Sequence, residues 1–274
     1  MTIGFERRDV RATIWILTAL SLLIVYLPPL YLVGISFNPS LQPGMPSLGD
    51  ISLKWYGALV NERGLLAALK ESLLIATVTM VVSTLLAIFA ALAYLELGRL
   101  KNGWFLFVVF PMFVPGIIQG LALSVILNRW QVVPFWGTVV MGHILWSLPF
   151  AFTVILTSMA TVKRSYVLAA ADLGANWWQR TTQIVLPLIT PGLVGGAIFS
   201  FLLSLNEFAR SSYLVGRQNT LPLLMFGKMN SGATPTIYAL SGVILLVSIL
   251  AVAAVMYLIA RRRRALAERS VEKA

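Results

Sequence analysis

Residues 73–95 read L-L-I-A-T-V-T-M-V-V-S-T-L-L-A-I-F-A-A-L-A-Y-L, without one charged side chain. As a helix rising about 1.5 Å per residue, that run crosses the ~30 Å hydrocarbon core of a bilayer. Five more stretches have comparable length and few charges: Ala12–Phe37, Trp104–Leu127, Gly137–Ala160, Pro191–Tyr213 and Ile237–Ala260. The pattern predicts an all-α polytopic membrane protein with six transmembrane helices.

Composition agrees. Of 274 residues, 58% are hydrophobic and 11% charged, with a mean hydropathy of +0.85. A soluble domain carries about 25% charged residues, so this chain lacks the polar groups to cover a water-facing surface and requires lipid. There is no cysteine, which excludes disulfides, thiolate metal sites and a cysteine nucleophile. A single histidine, His143, leaves little for metal binding or proton relays. The net charge of +11 is interspersed between apolar runs instead of forming a basic stripe on a soluble fold, so it points to topology and not to nucleic acid.

Arg7, Arg8 and Arg11 precede the first run as they would in a signal peptide. The run is too long for that and lacks a small-residue cleavage site, so it is expected to remain as a span. With the N-terminus inside, the inner segments hold Arg7, Arg8, Arg11, Arg99, Lys101, Lys163, Arg164, Arg180, Arg261–Arg264, Arg269 and Lys273. The outer segments hold only Lys54, Arg63, Lys70, Arg129, Arg217 and Lys228, with Arg210 at the membrane. The positive-inside rule therefore places both termini in the cytoplasm. Three segments follow: a cytoplasmic N-terminus at 1–11, a transmembrane domain at 12–260 and a basic tail at 261–274, whose Arg261–Arg264 run anchors against anionic lipid.

The outer loop Asn38–Lys70 opens with Pro39, Pro43, Gly44, Pro46 and Gly49, a turn-rich composition. Ile51–Leu59 and Gly64–Glu71 are expected as short interfacial helices, with Trp55 and Tyr56 near the headgroups and Glu71 capping a helix end. The inner loop at 161–190 is the unusual connection. Ser165 is placed to cap a helix over Val167–Leu173, and Gly174 to end it. A second helix over Asn176–Leu186 is expected to stop at Pro187. Two short helices at a bend suit either docking into a partner's groove or a re-entry elbow lying on the membrane, and composition leaves both open.

The segment A-A-A-D-L-G-A at 169–175, with Leu186-Pro187 ten residues on, resembles the EAA loop of ABC-importer permeases. The text around it agrees: L-P-L-I-T-P-G-L-V-G-G-A-I-F-S-F-L-L-S-L-N-E-F at 186–208, T-L-P-L-L-M-F-G-K-M at 220–229 and G-A-T-P-T-I-Y-A-L-S-G at 232–242. Together they resemble the second permease subunit of spermidine/putrescine-type importers, most specifically over Val162–Gly242. The resemblance implies the MetI-like permease fold and a coupling loop at 161–190, with Ala169, Ala170, Asp172 and Gly174 on the coupling helix that seats in an ATPase. It also implies the partners: a dimer of ATP-binding subunits, a second permease forming a heterodimer, and an extracytoplasmic solute-binding protein, all at the bacterial cytoplasmic membrane. Where the family motif opens with Glu, this chain has Leu168. No G-x-x-x-x-G-K-[ST] loop is present, so no cofactor is expected on this chain, with ATP and magnesium held by the partner ATPase.

Ionisable groups at membrane depth are functional candidates. Glu207 and Arg210 are three apart near the end of the fifth span, next to Asn206 and Ser204. They line a translocation path, or they are a self-neutralising pair at the outer interface with Arg210 snorkelling to water. Gln119, in the proline- and glycine-rich third span, faces that path or hydrogen-bonds a neighbouring helix. His143 reads as a satisfied structural group, with gating as the alternative. Similar permeases often carry two acidic residues where this chain has Asn206 and Glu207, and Arg210 adds a cation. A zwitterionic or anionic solute, amino-acid-like or phosphonate, is therefore as open as a polyamine. An embedded enzyme lacks a convergent acid, base and nucleophile. A channel or secondary transporter is the remaining alternative, though no second copy of the 169–187 pattern appears.

Overall fold

A computed structural model describes residues 8–232 and 235–247, with positions 249, 250, 253 and 257. The described residues contain helices and connections and no strand. The expected basic tail, the start of the N-terminal segment and most of the sixth span beyond 247 lie outside the described residues. The chain divides into two compact units, residues 1–63 with 228–274, and residues 64–227.

In the first unit, α1 (Arg8–Ser36) is a long apolar helix carrying Pro28 and Pro29 in its interior. Its membrane-length window is fully exposed. The following loop folds on Asn38, whose side chain donates to the Gly44 carbonyl at 2.8 Å and accepts from the Ser40 amide at 2.9 Å. Trp55 and Tyr56 belong to α2 (Lys54–Asn61), and both make hydrogen bonds within this unit. The Trp55 indole is buried and donates to the Asn38 carbonyl at 2.7 Å, while the Tyr56 hydroxyl meets Ser36 Oγ at 2.7 Å. An indole N–H removed from water needs an acceptor, and the loop supplies one.

The second unit is built on α3 (Arg63–Glu96). Gly64–Glu71 is therefore the start of a helix about 50 Å long and not a separate interfacial piece, and Glu71 is interior to it. The inner face of α3 is mostly small: Ser72, Ala76, Thr79, Ser83, Ala87 and Ala91 are all buried. That spacing makes a smooth stripe against which other backbones approach closely. Against it lies α6 (Trp136–Met159), joined by a buried Ser83–Ser147 hydroxyl pair at 2.7 Å. One core gathers Ala87, Ala90 and Ala91 with Phe152, Ile155 and Met159 of α6, and with Val108 and Val109 of α4 (Lys101–Val109).

The expected third span, Trp104–Leu127, is not one rod. α4 runs through a 3-10 turn at Phe110–Phe113 and gives way to α5 (Gly116–Arg129) with a bend of 99°. Pro115 supplies the reason: the residue before a proline is driven from helical geometry, and Val114 is extended at φ −87°, ψ 128°.

α7 (Arg164–Asp172) starts without a side-chain cap, so Ser165 lies inside it instead of capping it. Gly174 turns the chain at φ +84°, a region open to glycine. Asn176 then caps α8 (Trp177–Arg180), exchanging bonds with Gln179 at 2.9 and 2.8 Å. The chain passes through a π turn, Thr181–Val185, into α9 (Leu186–Leu188) and α10 (Thr190–Leu205). Pro187 does not stop the helix. It sits in the first turn of α9, where its missing N–H costs least, and the 73° bend follows at Ile189. α10 packs along α6, where a β-carbon at Gly196 would stand 3.3 Å from Ile155.

The fifth span also ends early. α10 stops at Leu205, and α11 (Ser211–Leu214) follows a tight connection. After α12 (Leu221–Asn230), α13 (Pro235–Val247) begins the region of the sixth expected span. Among the described residues, three helices are long and apolar enough to cross a membrane alone, and up to five spans result if each bent pair counts as one.

Candidate functional site

The connection between α10 and α11 carries Asn206, Glu207 and Arg210. Asn206 closes α10, its side-chain amide donating to the Leu202 carbonyl at 2.9 Å, and it is exposed. Glu207 turns inward and is 8% exposed, Arg210 3%. Arg210 does not snorkel. Its Nη1 donates to Glu207 Oε2 at 2.9 Å and its backbone N–H to Glu207 Oε1 at 3.0 Å. The pair foreseen from helical spacing thus forms across a turn, with both carboxylate oxygens engaged.

Three other residues complete the guanidinium's surroundings. Gln119 of α5 accepts from Arg210 Nε at 2.7 Å, and its amide donates to the Pro111 carbonyl at the break before α5. Trp146 of α6 lies under the guanidinium, 4.6 Å from Cζ to the ring centroid. Gly116 makes the room: a β-carbon there would stand 2.8 Å from Arg210 Nη1. Of the path residues expected from sequence, Gln119, Glu207 and Arg210 come together, while Asn206 faces away.

His143, expected to be a satisfied structural group, is 1% exposed. Its Nδ1 lies 2.7 Å from Ser204 Oγ and its Nε2 2.9 Å from Ser211 Oγ. The Ser211 hydroxyl donates to the Glu207 carbonyl at 2.8 Å. Having spent its one proton, Ser211 accepts from Nε2–H. His143 ties the end of α10 to the start of α11 through these two hydroxyls. Sequence reasoning missed Ser211 and the supporting role of Gly116; the G-x-x-Q-G spacing on α5 was the available signal.

Ala169, Ala170 and Asp172 share α7, and Gly174 follows it. No α7 residue is buried. Around them Leu168 is 50% exposed, Leu173 89% and Trp178 62%, an apolar surface of the kind that marks an interaction site.

Long apolar helices and two bent pairs define a multi-pass membrane protein, with a buried polar cluster at the joins. The described residues hold no group of three or more potential His, Cys, Asp or Glu metal ligands. The family model for the inner membrane component of binding-protein-dependent transport systems matches residues 83–265, and the chain belongs to that family. It is the permease component of an ABC importer and not an enzyme. Among its relatives is the putrescine transport system permease protein PotI of Escherichia coli (strain K12), 30% identical over 239 residues, covering 84% of each chain. The spermidine/putrescine transport system permease protein PotC of the same strain is 31% identical over 235 residues, covering 84% of this chain and 87% of that one. A bacterial ABC transporter involved in the import of the acidic polysaccharide alginate shares the fold, with a TM-score of 0.73 at 16% identity over 94% of this chain and 96% of that one. The resemblance read from A-A-A-D-L-G-A and the segments after it therefore holds at family level.

Proposed function

We propose that this permease carries a polyamine, putrescine or a close relative, inward across a bacterial cytoplasmic membrane. A dimer of separate ATP-binding subunits drives it, a second permease completes the path, and an extracytoplasmic binding protein delivers the solute. ATP and magnesium stay with the ATPase, and both termini of this chain face the cytoplasm. Two of the relatives are named for putrescine or spermidine, which favours a polyamine over amino-acid-like or phosphonate solutes. Arg210 weighs less against a cation than its sequence position suggested, because Glu207 cancels its charge at 2.9 Å.

The observation that carries the mechanism is the continuity of the α7–α10 segment. The exposed α7–α8 surface runs through the π turn and α9 into α10, whose far end holds Glu207 and Arg210. Ala169, Ala170, Asp172 and Gly174 receive the motion when the ATPase dimer closes. α10, sixteen residues long and so about 24 Å, conveys it to the cluster at the path, together with α6 packed along it. Leu168, standing where the family motif has a Glu, and Leu173 give the docking surface apolar contacts.

Vesicles containing this chain, the partner permease, the ATPase and the loaded binding protein are expected to accumulate putrescine on addition of ATP. Gly174→Trp is expected to abolish uptake. Hydrolysis indifferent to this chain rejects the importer mechanism, and uptake of a phosphonate or amino acid instead rejects only the solute class.

A further inference from the structure

A carboxylate beside an indole face recognises an alkylammonium, by charge pairing and by cation–π attraction. That pair of groups exists in this chain, and its occupant is the chain's own side chain. Arg210 Nη1 is 2.9 Å from Glu207 Oε2, Cζ is 4.6 Å from the Trp146 ring centroid, and Nε is held by Gln119 at 2.7 Å. The aromatic surface continues past Trp146. Phe150, one turn along α6, has its ring centroid 4.8 Å away, and Phe199 of α10 is 5.6 Å beyond that. Phe199 is 43% exposed and Arg210 3%, so a run of aromatic rings, edge-on between Trp146 and Phe150 and tilted between Phe150 and Phe199, leads from an exposed position to a buried carboxylate.

We infer that Arg210 is a tethered stand-in for the cationic solute, seated on Glu207 and Trp146 until an ammonium group arriving along Phe199 and Phe150 displaces it. This rests on the polyamine reading and adds the subsite. Displacement exchanges one cation for another on the same carboxylate, so Glu207 keeps a counter-charge, and the released guanidinium has to swing out to water, because a cation left buried without one is the costly arrangement. In the absence of solute the seat is filled, and stray monovalent cations find no open carboxylate. Arg210 is then a specificity-determining residue: it admits only solutes that compete with a guanidinium.

The test uses the assembled permease–ATPase complex in nanodiscs without binding protein, following thermal unfolding with guanidinium, putrescine or glutamate at millimolar concentration. Wild type is expected to show no cation-specific shift. Arg210→Ala is expected to gain about 2–4 °C with guanidinium and with putrescine but not with glutamate. Arg210→Ala combined with Glu207→Gln is expected to show none. No shift in Arg210→Ala, or the same shift in wild type or in the double variant, overturns the inference. A shift with guanidinium alone overturns displacement by the solute. Where Arg210→Ala does not assemble, Trp146→Leu keeps the ion pair, and its putrescine uptake per ATP hydrolysed is expected to fall several-fold; an unchanged ratio overturns the inference. Failure of the polyamine reading is separate, appearing as wild-type vesicles that accumulate no putrescine.

Discussion

Gly120 lies directly against the backbone of Arg210: a β-carbon on Gly120 would stand 3.1 Å from Arg210 Cα and 3.3 Å from its carbonyl oxygen. Backbone yields less readily than a side-chain tip, so Gly120→Ala is expected to cost about 1–3 kcal/mol by overpacking. Gly57→Ala meets nothing within 4 Å and is expected to be neutral or to gain about 0.5–1 kcal/mol from helix propensity. Thermal melting of the two variants side by side checks the contrast.

Removing one member of the Glu207–Arg210 pair leaves the other charge buried. Glu207→Gln alone is expected to lose about 3–5 kcal/mol. Glu207→Gln with Arg210→Gln is expected to lose less than the sum of the single changes, since neither charge is then orphaned. A double-mutant cycle on unfolding measures the coupling, and strict additivity would contradict the geometry.

Gly174 differs in kind from Gly120. Nothing crowds it, but its φ of +84° disfavours a β-branched side chain. Gly174→Val is expected to strain the turn by about 1–3 kcal/mol and to uncouple solute from ATP hydrolysis. Gly174→Asn, which tolerates that region better, is expected to keep most of the stimulation. Solute-stimulated hydrolysis of both variants separates a backbone requirement from a steric one.

Topology is open to labelling because the chain has no cysteine of its own. Leu173 is 89% exposed and Leu48 96%. With an impermeant maleimide on intact cells, Leu48→Cys is expected to react and Leu173→Cys to react only after permeabilisation. The reverse pattern refutes the orientation drawn from Lys and Arg placement.

Hydropathy made the long helices legible, since a 34-residue α3 and a 24-residue α6 follow from uninterrupted apolar runs. It did not show the breaks. The proline and glycine content of 111–120 announced a kink, but its 99° size depends on Val114 being extended. Pro187 misled because a proline in a first helical turn reads like one that ends a helix. The cluster was half legible: residues 207 and 210 are neighbours in the chain, whereas Gln119 lies 91 positions from Arg210 and Ser211 68 from His143. One sequence carries no record of such pairings. Of the two readings of Arg210, the one with the side chain snorkelling to water does not fit its burial, because glycines at 116 and 120 give it an interior berth.

The π turn at Thr181–Val185 winds one residue more into its turn than an α-helix does. Each residue advances a helix by about 100°, so the surplus sets the angular phase between the Trp177–Trp178 surface and the axis of α10. Deleting a single residue there would leave the neighbouring helices intact and rotate that surface by more than a quarter turn. Chain length at this point acts as a clock setting, fixing which side of the loop is offered to whatever docks on it.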